Sequence, residues 1–249
     1  MNLNYDVSIL KGLDDLLRNP ISALYTPFSF ILIYEAFLLV YYFPRSFTTS
    51  IAKEYEIISL VMIRKVFGDI PMLNFEEGII NQEGLTLLYD LVAILIIYYL
   101  IHLFKKTISK IPRRNPTVNI TRFISYKKML SIVLLPTLLL LCVSNLYDWS
   151  YAVFVNQEFL ENLNYIFFID FFTILILVDV FILLISFQYT ERYSQILRNT
   201  GFIISTILLR LSFSVSGVSS LILLLSGVVF GLIILKIYQL SEVELNQRV

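Results

Sequence analysis

Five apolar runs, 27–43, 85–104, 129–147, 165–187 and 217–238, set the terms on which this chain can fold. Each is close to the ~20 residues that cross ~30 Å of hydrocarbon at ~1.5 Å per helical residue. Hydrophobic residues are 57% of the 249 and charged residues 15%, with a mean hydropathy of +0.78. A soluble domain has no interior large enough for that much apolar surface, whereas a bilayer solvates it directly. In lipid each backbone N–H and C=O must be satisfied within the chain, so the runs are expected to be helices. The fold class this implies is an all-α integral membrane protein, a polytopic helix bundle.

Charge sorts the loops by side. The segment 105–128 holds eight Lys or Arg and no acid, which places it in the cytoplasm. The next loop, 148–164, holds Asp148, Glu158 and Glu161 and no base, so it faces outward, with Tyr147, Trp149 and Tyr151 as an aromatic belt. Arg192 and Arg198 return the chain to the cytoplasm. The location expected is the cell membrane, multi-pass. The N-terminal segment lacks a signal-peptide pattern. Ile9, Leu10, Leu13, Leu16 and Leu17 recur at helical spacing up to Asn19-Pro20, which fits an amphipathic helix in the membrane interface over 1–26.

Two weaker segments resemble each other. IISLVMIRKVF at 57–67 and IISTILLRLSF at 203–213 share five of eleven positions, among them Arg64 and Arg210. In the helices before them Glu35, Phe37, Leu39 and Phe43 align with Asp179, Phe181, Leu183 and Phe187 after a two-residue shift. Identities between apolar segments carry little weight, but an acid and an arginine recurring at corresponding places point to an internal duplication. The organisation expected is seven helices in a 3+1+3 order. Segments 27–104 and 165–238 form the two transmembrane repeats, 129–147 is a linker helix, 105–128 a basic loop and 239–249 a tail. A six-helix alternative leaves 51–67 on the outer interface, where Glu54, Glu56, Arg64, Lys65 and Asp69 crowd. The 3+1+3 order is shared by SWEET and PQ-loop proteins and by microbial rhodopsins, an architectural analogy that confers no function. Retinal attachment would need a lysine in the middle of the last helix, and Lys236 stands at its end.

The residues expected to carry activity are the charges inside the apolar runs: Glu35, Arg64, Asp90, Asp179 and Arg210. Glu35 and Asp179 each lie eight residues before the cytoplasmic end of their helix, ~12 Å in depth. An ionised group there needs a partner or a water-filled cavity. Depth matches Glu35 to Arg64 and Asp179 to Arg210, as intramembrane ion pairs or as the lining of a transport path. Lys105, Lys106, Arg113 and Arg114 are placed to contact anionic lipid head groups. Gly227 and Gly231 form a GxxxG that permits close helix contact, within the chain or between subunits. Cys142 and His102 read as a packing residue and an interfacial polar residue, since neither has a second ligand at metal spacing.

These features point to a small transporter- or channel-like protein moving an ion, proton or small polar solute. A non-catalytic membrane subunit or anchor, and a partner-controlled membrane-permeabilising effector, fit the same sequence. No catalytic, cofactor or metal motif is present, so an enzyme, a cofactor and a nucleic-acid role are not expected. The bilayer, partner membrane subunits or further copies of the chain are the partners implied.

Overall fold

The computed structural model describes residues 31, 33–70, 82–111, 118–151, 163–190, 192–215 and 217–247. Among them are seven helices and no strand: α1 (Ile33–Tyr42), α2 (Phe47–Asp69), α3 (Gln82–Ile108), α4 (Val118–Tyr151), α5 (Leu163–Tyr189), α6 (Tyr193–Ser212) and α7 (Val218–Gln247). The amphipathic helix expected over 1–26 lies outside the described residues.

Four segments are long and apolar enough to cross a membrane: Gly84–Ile108, Thr121–Ser144, Ile169–Tyr189 and Val218–Val243. Leu95, Ile132, Leu140, Leu184 and Ile222 on them are between 61 and 72% exposed. Leaving such side chains in water forgoes roughly 1.5–3 kcal/mol each, so these surfaces belong against hydrocarbon. The chain is thus an all-helical, multi-pass bundle built for a membrane. Half of the α7 span is buried against 17% of the α4 span, so α7 sits centrally and α4 peripherally.

The two arginine-bearing segments, 57–67 and 203–213, lie on helices longer than the resemblance between them. Arg64 lies on a helix of 23 residues, α2, and Arg210 on one of 20, α6. Ser46 starts α2, its hydroxyl accepting the Thr49 N–H at 3.4 Å as an N-cap. Tyr55, Ile58 and Met62 of α2 are fully buried, and α2 packs on α3 and α6. It is therefore packed into the bundle along one face. Gly217, at φ +68°, turns the chain from α6 into α7.

The basic segment 105–128 is less of a loop than its charge suggests. Residues 105–108 finish α3 and 118–128 open α4. Lysine and arginine are good helix formers, and the helices continue beyond their apolar parts until Pro112 and Pro116 intervene in the sequence.

One end of the bundle gathers the bases. Lys127 Nζ on α4 donates to the Arg45 carbonyl in the α1–α2 turn at 2.9 Å. Phe47 of α2 stacks on Phe123 of α4, and Phe123 meets Tyr189 at the end of α5. Lys105 of α3 reaches Glu56 of α2 at 2.6 Å, and Arg192 before α6 reaches Glu242 of α7 at 3.2 Å. The start of α2, α4 and α6 and the end of α1, α3, α5 and α7 thus share one face.

In the core, α2, α6 and α7 approach closely through small residues. Ser205 donates to the Gly227 carbonyl at 2.7 Å and, having one proton, accepts from Tyr55 at 2.6 Å. A Cβ at Gly227 would lie 3.1 Å from the Ser205 carbonyl oxygen, and one at Gly231 would collide with the Tyr55 hydroxyl. The GxxxG of α7 serves contact inside the chain. Tyr55 also meets Phe104 edge-on, and Phe104 packs on Phe202, extending the joint into α3.

Candidate functional site: a buried charge network

Each acid singled out in the apolar runs has a basic partner. Arg64 Nε on α2 donates to Glu35 Oε2 on α1 at 3.3 Å, with Glu35 buried. Arg210 Nη1 on α6 donates to Asp179 Oδ2 on α5 at 2.5 Å. Lys65 Nζ lies 3.2 Å from Asp90 Oδ2 of α3. Glu35 and Arg64 meet because α1 and α2 fold back about the 43–46 turn, and Asp179 and Arg210 meet because α5 and α6 do so about 190–192.

Arg210 makes a second contact that the sequence reading did not anticipate. Its Nη2 donates to Glu54 Oε1 on α2 at 2.7 Å. Thr206, one turn before it, sets its hydroxyl 2.9 Å from Asp179 Oδ2. The guanidinium is 2% exposed and holds a carboxylate from each of two helix hairpins. Arg210 Nε and Asp90 Oδ1 are buried and have no hydrogen-bond partner among the described residues. In a medium of low dielectric such charge-assisted bonds are strong, and the loss of any one partner is costly.

Lys127 completes the surroundings. It is buried, with its ammonium held by the Arg45 carbonyl and lying 5.2 Å and 4.7 Å from the centres of the Phe43 and Phe47 rings. Glu54, Asp179, Arg210 and Lys127 thus bring two acids and two bases into the interior near the basic end. A cavity of about 10 Å³ adjoins Arg210 and Glu54, walled by Leu39, Tyr42, Phe43 and Leu175. That is room for about one water.

Glu54 carried a signal in the sequence. It stands three residues after Ile51 and four before Ile58, on the apolar stripe of α2, whereas Lys53 and Glu56 lie off it. Lys127 carried none, being one of eight bases in a segment read as solvated. Of the expected head-group contacts, Lys105 pairs with Glu56 while half exposed, and Lys106 is exposed. Arg113 and Arg114 lie outside the described residues. Comparison of the chain with protein-family models, curated proteins and solved structures finds no match.

Proposed function

We propose that this chain is a multi-pass transport protein of the cell membrane, with its basic end in the cytoplasm, that moves an ion, a proton or a small polar solute. The observation that carries the reading is Arg210, one guanidinium divided between Glu54 and Asp179. A carboxylate in a low-dielectric interior needs a counter-charge or a proton. A proton or cation arriving at either acid takes over one contact of Arg210 and leaves the other intact. Such an exchange changes which hairpin the arginine holds, and so couples occupancy to helix packing.

The parallel between Glu35–Arg64 and Asp179–Arg210 supports an internal duplication about an axis along the membrane normal, with α4 as the linker. Contacts pair α2 with α6 and α3 with α7, the pairs that such an axis brings together. The basic end is assigned to the cytoplasm by the positive-inside rule.

Liposomes containing the purified protein and a pH-sensitive or cation-sensitive dye test the reading. Flux should fall to background in Asp179→Asn and Glu54→Gln while the variants remain monodisperse. Undiminished flux in both would remove the reading. The narrowness of the cavity favours a second one: a non-catalytic membrane subunit in which the network only fixes helix register. Under it wild-type liposomes carry no flux, and the same variants lose yield and thermal stability instead.

A further inference from the structure

Between α1 and α4 a groove of about 680 Å³ opens on the outside of the bundle. Its size is that of sites that take small organic ligands, ~300–1,000 Å³. Its floor is fixed. Val40 is fully buried there, and Ser131 Oγ on α4 donates to the Val40 carbonyl at 2.9 Å. Its character changes along its length. One end is walled by Phe37, Tyr41 and Leu135, all exposed, with Phe37 and Tyr41 stacked at 6.0 Å. The other end is formed by Arg45, Ser46 and Lys128, also exposed. From Leu135 to Lys128 along α4 the shift from apolar to cationic takes ~10 Å, and Arg45 stands beside Lys128 in the turn just past the end of α1.

We propose that this groove is a binding site for an anionic phospholipid. The acyl chain lies against Phe37, Tyr41 and Leu135, and the head-group phosphate lies between Arg45 and Lys128. Charge complementarity and depth argue for this occupant. The two cations stand at the basic end of the bundle, where phosphates lie, and the apolar walls run from there towards the middle of α1 and α4. A soluble anion would leave the aromatic wall bare, and an apolar helix of a partner would bring nothing to the two cations. The Lys127–Arg45 bond ties α4 to the α1–α2 turn, so the two cations are held by a joined pair of elements. This site is separate from the buried network and does not depend on transport.

Native mass spectrometry and thermal shift of the detergent-solubilised full chain, titrated with phosphatidylglycerol, phosphatidylcholine or inorganic phosphate, test the proposal. The expected result is retention of phosphatidylglycerol and stabilisation by it above phosphatidylcholine, with no stabilisation by inorganic phosphate. Arg45→Gln with Lys128→Gln should weaken phosphatidylglycerol binding about thirty-fold, the equivalent of about 1 kcal/mol for each basic residue at a tenfold change per 1.4 kcal/mol. Both side chains are exposed, and the backbone carbonyl of Arg45 that Lys127 uses is untouched. Leu135→Trp, which fills the apolar end, should abolish binding with the cations in place. Equal binding of the two lipids, protection by inorganic phosphate alone, equal affinity in wild type and the Arg45/Lys128 variant, or a stable dimer that occludes the groove would each overturn the proposal.

Discussion

The hairpins α1–α2 and α5–α6 each carry an acid and an arginine at corresponding places, Glu35 with Arg64 and Asp179 with Arg210, yet they use them differently. In the first, Arg64 meets Glu35 through Nε at 3.3 Å and is 12% exposed. In the second, Arg210 is 2% exposed and extends one Nη to its own hairpin's Asp179 and the other to Glu54 of the first hairpin. One pair closes a hairpin, and the other joins two. The value of a buried charge is set by how many groups would be stranded without it, and sequence position does not report that number.

The largest separation of the two hairpins should come from removing each arginine. Arg210→Met strands Glu54 and Asp179 together and should cost about 3–5 kcal/mol, seen as a large fall in the melting temperature of the detergent-solubilised protein. A loss no larger than that of Arg64→Met would erase the distinction between the hairpins. Arg64→Met removes a bond to a more open guanidinium and should cost about 1.5–3 kcal/mol. Exchanging partners sharpens the contrast: Glu35→Arg with Arg64→Glu should restore part of that loss. Asp179→Arg with Arg210→Glu should restore little, because the new glutamate faces Glu54.

A third test moves to the joint between the halves. Gly231→Ala drives a methyl group into the Tyr55 hydroxyl and should cost about 1–3 kcal/mol by overpacking. Combining it with Tyr55→Phe should recover part of that in the same melting assay, and failure to recover would show that the crowding is elsewhere. The smallest effect belongs to the half-exposed Lys105–Glu56 pair, where Lys105→Ala should change stability by less than about 1 kcal/mol.

Much of this was legible in the residues. Of the five apolar runs, four are helices long and apolar enough to span, as length and hydropathy alone indicated, while 27–43 is described only in part, as the shorter helix Ile33–Tyr42; both arginine pairs followed from depth along a helix. Glu54 was passed over because it lies among Lys53, Glu56 and other polar residues, although its place on the apolar stripe of α2 marks it as the one that turns inward. Lys65 as the partner of Asp90 was hidden for a related reason, since α2 and α3 are joined by a stretch whose length does not set the register between them. The extent of α2 was hidden because its polar groups interrupt the apolar pattern, although Glu54, Glu56, Arg64 and Lys65 each reach an opposite charge on another helix. Lys127 was hidden by its neighbours: a base in a basic run gives no sign that it is buried against Phe43 and Phe47.

The bond between Glu54 and Arg210 also sets a timetable for biosynthesis. The two residues lie 156 positions apart, and at ~5–20 residues per second the ribosome needs on the order of ten to thirty seconds to pass from one to the other. Throughout that interval Glu54 exists without the cation that neutralises it in the finished bundle. Helix α2 therefore settles into hydrocarbon on its own only with Glu54 protonated, and otherwise waits at the translocon or at the membrane surface until α6 emerges. A ribosome stalled before Arg210 should leave α2 accessible to aqueous reagents, and one stalled well after it should not.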